Sequence, residues 1–251
     1  MPRALVTGAT AGIGHCFVTE LAARGHDLVI VARDTSRLES VAAELRERHG
    51  VDVDVLTADL TTADGLAAAA GALTSTSRPV DLLVNNAGSS FPGWFGTTDV
   101  ADEDDQLDLL VRAPMHLMDA ALKAMSGRHG GAVINVASVA AFTPRGTYSA
   151  HKAWLVNLSQ WAHLQYADVG ITVQALCPGF VRTEFHQRMG ADISGIPRWM
   201  WLKAPKVVKA SLKDLERGRA ISIPSVRYKI LATLSRLAPA GFVARVAKRG
   251  R

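Results

Sequence analysis

Tyr148 and Lys152 stand four residues apart in the stretch GTYSAHKAW (146–154), whose surroundings read as a helix. That interval sets both side chains on one helix face. A phenol ordinarily keeps its proton to a pKa of about 10, and a neighbouring ammonium favours the phenolate. A tyrosine tuned in this way can give a proton to a carbonyl oxygen or take one from an alcohol, which is the proton half of a carbonyl/alcohol interconversion. Alone, the pair would equally be an exposed helical contact. The residues upstream decide between the two.

TGATAGIG (7–14) lies between an apolar run and a helical pattern. Gly8 permits a tight turn, Gly12 lets backbone approach a pyrophosphate, and Gly14 lets the following helix pack closely. The helix N-terminus then offers N–H groups and the positive end of its dipole. The next apolar run, LVIVA, ends at Arg33 rather than at an acid. A guanidinium matches a 2′-phosphate bidentately, whereas an acid would bind a 2′-hydroxyl, so the charge favours NADP(H) over NAD(H), with Arg37 as a second contact. Asp34 either turns toward a ribose or caps the helix beginning at SRLESV.

These residues need a scaffold, and the chain supplies one. Apolar, β-rich runs at 4–7, 27–32, 51–57, 80–85, 132–137 and 171–177 alternate with segments whose apolar residues recur at helical intervals. TSRLESVAAELRERHG, ending in glycine, is one such segment, and the Ala-rich 65–77 is another. Nearly continuous apolar strands alternating with helices predict a doubly wound parallel α/β sheet, Rossmann-like, with helices on both faces. At 251 residues and 48% hydrophobic composition, one domain suffices. Residues 1–224 read as the dinucleotide-binding catalytic body and 225–251 as a basic amphipathic tail.

Six motifs in order, TGATAGIG (7–14), ADL (58–60), NNAG (85–88), Ser138, YSAHK (148–152) and PGFVRT (178–183), resemble the classical short-chain dehydrogenase/reductase (SDR) family over residues 3 to about 220. The resemblance implies an oxidoreductase acting on an apolar ketone, aldehyde or secondary alcohol. Tyr148 would be its acid/base, Lys152 would lower the phenol's pKa and hold the nicotinamide ribose, and Ser138 would hydrogen-bond the substrate oxygen. It implies a coenzyme site of Gly8, Thr10, Gly12, Ile13, Gly14, Arg33, Asp59, Leu60, Asn86, Ala87, Gly88, Pro178, Gly179, Val181 and Thr183, with Asp59 at the adenine. It also implies a homodimer or homotetramer built through the fourth and fifth helices.

Two positions depart from the family. Leu110 occupies the place of the tetrad asparagine, with Ala113-Pro114 fixing the register against Asp108, and leucine cannot hydrogen-bond a relay water. The interval from Ser138 to Tyr148 is shorter than usual, with Ser149 and Thr147 as local substitutes. These departures motivate a second reading, a coenzyme-binding regulatory protein with weak or lost catalysis.

The formal charge of +5 is concentrated at one end. From Ser225 onward there are seven Lys/Arg and no acid, leaving 21 basic and 23 acidic residues in the rest. No aromatic stacking platform accompanies the charge, so nucleic acid is not an expected partner. In the tail, Val226, Ile230, Leu234 and Leu237 recur at helical spacing among the cations. This pattern suits weak peripheral contact with anionic lipid, and equally a helix packed on the domain or on a second subunit. Cys16 and Cys177, far apart and expected to be buried, indicate neither a disulfide framework nor a zinc site, and the acids of 99–108 fit a helix N-terminus better than a metal. The expected location is the cytoplasm. Specificity is expected in 184–206, where Trp199, Met200 and Trp201 cluster; these and Trp94 either line a pocket or dock on the body.

Overall fold

The computed structural model describes residues 1–185, 195–239, 241 and 243. The strands are β1 (Arg3–Thr7), β2 (Asp27–Ala32), β3 (Val53–Thr57), β4 (Leu82–Asn85), β5 (Gly131–Val136), β6 (Ile171–Leu176) and β7 (Ile221–Ser222). The helices are α1 (Gly12–Ala23), α2 (Thr35–His49), α3 (Ala63–Thr74), α4 (Val100–Leu107), α5 (Ala113–Ser126), α6 (Thr147–Gln165), α7 (Ala204–Glu216) and α8 (Val226–Leu237). The strands form one parallel sheet in the order β3-β2-β1-β4-β5-β6-β7, the doubly wound architecture that the alternating pattern predicts.

Side chains of successive strand residues leave the sheet on opposite faces. Ala4, Val6, Leu28 and Ile30 pack with Phe17 of α1, Leu38 of α2 and Val207 of α7. Leu5, Val29 and Val31 pack on the other face with Leu73 of α3, Leu117 of α5 and Ala162 of α6. Both faces are covered, which is why these strands are apolar throughout. Each fully buried Leu or Ile contributes about 2 kcal/mol.

β3 and β4 begin two residues later than the apolar pattern indicates, and β7 was not expected. β7 is only Ile221–Ser222, too short to leave a periodic trace. The Asp34 alternative resolves toward the helix: its carboxylate accepts the Arg37 N–H at 3.0 Å and caps α2, which ends at Gly50 with φ +65°. Asp99 likewise caps α4 from the Ala101 N–H at 3.0 Å, with Asp102 and Glu103 in its first turn. Asp99, Asp102 and Glu103 thus sit where the helix dipole favours them. Cys177 is buried, but Cys16 is only half-buried, a correction to the expectation for both.

Strand order reverses beside β1, which lies between β2 and β4. Open parallel sheets form a crevice at the carboxyl ends of the strands flanking such a point. The Thr7–Gly14 turn and the Asn85–Gly88 segment meet there.

Candidate active site

Thr7, the last residue of β1, ties the two segments together. Its hydroxyl accepts the backbone N–H groups of Asn86 and Ala87, each at 2.9 Å. Asn86 returns the contact, its amide donating to the carbonyls of Thr7 at 2.8 Å and Gly8 at 3.2 Å. Asn86 therefore holds the turn in place. Gly8 and Gly12 have φ of +66° and +57°, a region that disfavours side chains. A Cβ at Gly14 would lie 2.1 Å from the Gly8 carbonyl oxygen and 2.4 Å from the Asn86 amide nitrogen, so this glycine lets α1 pack closely on the residues that follow β1 and β4. Gly12 faces Thr183, whose Cβ would be 3.1 Å from a Gly12 Cβ, bringing the PGFVRT segment against the turn. Thr10 lies half-buried in the turn, and Ile13 packs partly on the core.

The N-terminus of α1 has no side-chain cap and no acid in its first turn, leaving its N–H groups available to an anion. Arg33, at the end of β2, has a side chain 78% exposed, 3.9 Å from the Asp59 carboxylate. Asp59 accepts from the Thr61 N–H and hydroxyl, and these bonds with the Arg33 charge hold its pKa below the ordinary value although burial works in the opposite direction. Leu60 is buried in the core beside this loop. Arg37 pairs with Asp34 and with Glu184 at 3.4 Å. The features fit a dinucleotide: a turn closed to side chains, helix N–H groups without a side-chain cap and an exposed guanidinium at the end of β2.

Tyr148 opens α6, and despite the short loop Ser138 reaches it with a side-chain hydrogen bond. Ser138 itself caps the short helical turn Val139–Phe142, accepting the Ala140 N–H at 3.1 Å. Ser149, one of the local substitutes, is buried. Lys152 is buried, donates to the Val136 carbonyl at 2.8 Å and stands 5.8 Å from the centre of the Tyr148 ring. A Cβ at Gly88 would be 3.9 Å from its ammonium nitrogen, so the NNAG segment does reach this group.

The electrostatics correct one expectation. Burial pushes the Tyr148 phenol up to about 12, and the Ser138 hydrogen bond offsets this only in part. Burial lowers Lys152 itself from an ordinary 10.5 to about 8. Between about pH 8 and 9 the unfolded chain therefore keeps a lysine proton that the folded protein has released, and stability gained from this group rises with pH. Above 9 the buried Cys177 thiol, raised to about 12, opposes the gain, because the unfolded thiol ionises first. The melting temperature of wild type relative to Lys152→Met is expected to increase from about pH 8 to about pH 9; a flat or falling difference would place the lysine in a wetter setting.

Leu110 shares a cavity with Lys152. It is buried in a π-helical turn, Asp108–Arg112, in which the Ala113 N–H bonds the Asp108 carbonyl. Pro114 explains the turn, since proline has no N–H to give the Leu110 carbonyl four residues back. Leu110, Leu60, Asn85, Ala87 and Lys152 line a cavity of about 10 Å³, while Asp108 is paired with Arg112 at 3.1 Å. Asn85 donates to Asn135 at 2.9 Å, and its own buried oxygen has no donor among the described residues.

Two contacts escaped sequence reading. Tyr228 of α8 lays its ring on Gly179, where a Cβ would be 2.0 Å away, and its hydroxyl accepts the Phe180 N–H at 3.1 Å. A lone tyrosine in a basic tail carries no signal of this. Pro178 accepts the Val139 N–H at 3.0 Å, coupling the PGFVRT segment to the Ser138 turn. Val181 is buried and bridges to Leu202. Of the expected specificity segment, residues 186–194 lie outside the described residues. Within the rest, Phe185 stacks 6.3 Å from Tyr148 and Trp201 packs 5.8 Å from Phe180, while Trp199 and Trp94 are exposed.

A family model described as short chain dehydrogenase matches residues 2–194. A short-chain dehydrogenase from Sphingobium yanoikuyae, solved in complex with NADPH, is 35% identical, with 93% of each chain covered and a TM-score of 0.86. The bulky-bulky ketone specific alcohol dehydrogenase from Comamonas testosteroni is 32% identical, over 93% of this chain and 91% of that one, with a TM-score of 0.82. The very-long-chain 3-oxoacyl-CoA reductase of Bos taurus is 30% identical over 92% of this chain and 75% of its own.

Proposed function

The chain belongs to the short-chain dehydrogenase family, and from that membership we propose that it reduces apolar ketones or aldehydes with NADPH, Tyr148 donating the proton to the substrate oxygen. Oxidoreduction at CH–OH or C=O groups with a nicotinamide coenzyme is the chemistry of the family to which it belongs. The observation that carries the reading is the convergence of Ser138, Tyr148 and Lys152 beside the closed glycine turn. When bound, the coenzyme supplies the hydride to the carbonyl carbon.

Gly8, Thr10, Gly12, Ile13 and Gly14 would hold its phosphates, Arg33 the 2′-phosphate, and Asp59 and Leu60 the adenine. Asn86, Ala87, Gly88, Pro178, Gly179, Val181 and Thr183 would form the nicotinamide end, with Lys152 at its ribose. Ser138 orients the substrate oxygen toward the phenol. The phenol is protonated at neutral pH, the state a proton donor needs, while the burial that raises it to about 12 makes it a weaker acid than an unshifted tyrosine. The half-buried Phe142 and Phe185 offer apolar surface beside it, in keeping with the bulky ketone named for the Comamonas enzyme.

Arg33→Ala is expected to weaken NADPH by about 10- to 100-fold, the loss of one charged hydrogen-bonding partner, with NADH little affected. Equal loss of both coenzymes, or of neither, in paired titrations would remove Arg33 from the 2′-phosphate. The exposed Met115 of α5 and Trp161 and Leu164 of α6 fit a second copy of the chain, the homo-oligomer that family membership leads us to propose. Leu110 favours a second reading, a coenzyme-binding regulator: it places a side chain without polar atoms in the Lys152 cavity. Turnover separates the two.

A further inference from the structure

The α8 helix carries apolar residues on two opposite sides. Tyr228 and Ala232 are buried and hold it to the body, the Tyr228 hydroxyl also donating to the Met200 carbonyl at 2.8 Å. Val226, Ile230, Leu234 and Leu237 are 73%, 55%, 57% and 80% exposed. At roughly 100° per residue these four fall within about 80° of one another, and their common direction is roughly opposite Tyr228 and Ala232. The stripe that sequence alone assigns to packing or to lipid therefore faces away from the body, while a different pair of residues makes the attachment.

Cations border the stripe on both sides: Arg227 on one, Lys229 and Arg236 on the other. None of them forms an ion pair with a described residue. Arg227 lies 5.7 Å over the ring of Trp199, itself 56% exposed, and Arg236 lies 5.5 Å over Phe142, four residues beyond Ser138. The sequence after Leu237 adds Arg245, Lys248, Arg249 and Arg251, residues outside those described, and no acid.

We propose that α8 docks the protein on the surface of an anionic bilayer, with the stripe in the boundary between headgroups and acyl chains and the flanking cations among the phosphates. Trp199 extends the same patch with a residue type suited to that depth. Charge selects lipid over a second copy. A two-fold contact through this face would set Arg227, Lys229 and Arg236 against their own counterparts in a segment that has seven cations and no acid. No helix among the described residues is long and apolar enough to cross a membrane, so the contact is with the surface. Docking there sets the Phe142 side of the Ser138 turn toward lipid. The inference goes beyond the reaction and does not depend on it.

The test is co-sedimentation of the full chain with phosphatidylcholine vesicles and with vesicles containing phosphatidylglycerol. Wild type is expected to pellet with the anionic vesicles at least about tenfold more strongly than with neutral ones, and less at high salt. Ile230→Glu/Leu234→Glu should abolish that binding while melting with the wild type, since both positions are exposed. Arg227→Gln/Lys229→Gln/Arg236→Gln should erase the preference for anionic lipid. Wild type that stays in the supernatant, or a glutamate variant that pellets equally, overturns the proposal. So does a glutamate variant that turns an oligomer into a monomer in sedimentation while neither protein binds vesicles, because the stripe is then a subunit interface.

Discussion

Tyr148→Phe is expected to lower kcat for ketone reduction by about 10²- to 10⁴-fold, the range for removing a positioned proton donor. The substitution deletes one hydroxyl and keeps the ring that stacks near Phe185. Its neighbours cannot replace it. Lys152 donates to the Val136 carbonyl and is assigned to the coenzyme ribose, and Ser138 caps the turn that follows it. NADPH affinity should stay close to wild type, because the glycine turn and Arg33 are untouched. Steady-state kinetics and a fluorescence titration of NADPH separate the two effects. A variant that keeps the wild-type kcat would move the proton donation to another group; one that loses coenzyme affinity in parallel would make Tyr148 a binding residue.

Gly14→Ala should cost about 1 to 3 kcal/mol of stability through overpacking and weaken NADPH by at least about tenfold. The added carbon would lie 2.1 Å from the Gly8 carbonyl oxygen and 2.4 Å from the Asn86 amide nitrogen. Neither can yield cheaply. The first is backbone in a turn with positive φ, and the second already bonds the carbonyls of Thr7 and Gly8. Relief would require α1 to move away from the turn, carrying with it the N–H groups meant for the phosphates. Gly71→Ala is the control: it sits in α3 with open space around it, and alanine there should be neutral or stabilising by up to about 1 kcal/mol. Thermal melts and NADPH titration of the two variants test the contrast, and equal behaviour would refute a tightly closed turn.

The fold was legible because a parallel sheet covered on both faces leaves apolar runs that composition and period reveal. β7 was not, since Ile221–Ser222 is too short for any period and is fixed by its neighbour β6. At the site, residue types and spacing brought Tyr148 and Lys152 to one face, and the Ser138 that the resemblance implies lies against Tyr148 despite its short loop. What spacing cannot carry is desolvation. The ammonium was expected to dominate the phenol, whereas burial of both groups drives their pKa values the opposite way. The role of Asn86 was hidden for a similar reason, since its partners, Thr7 and Gly8, lie in a turn that is distant in sequence. In the tail the apolar period was plain, yet which residues attach the helix depends on the space over Gly179, which the Tyr228 ring fills.

The most direct test of the central claim is transfer of deuterium from NADPH labelled at the nicotinamide C4 to a panel of bulky apolar ketones and aldehydes, read by mass spectrometry of the alcohol. The account predicts deuterium at the carbinol carbon with wild type and its loss with Tyr148→Phe. Tight NADPH binding with no labelled alcohol from any member of the panel would contradict it and favour the coenzyme-binding regulator.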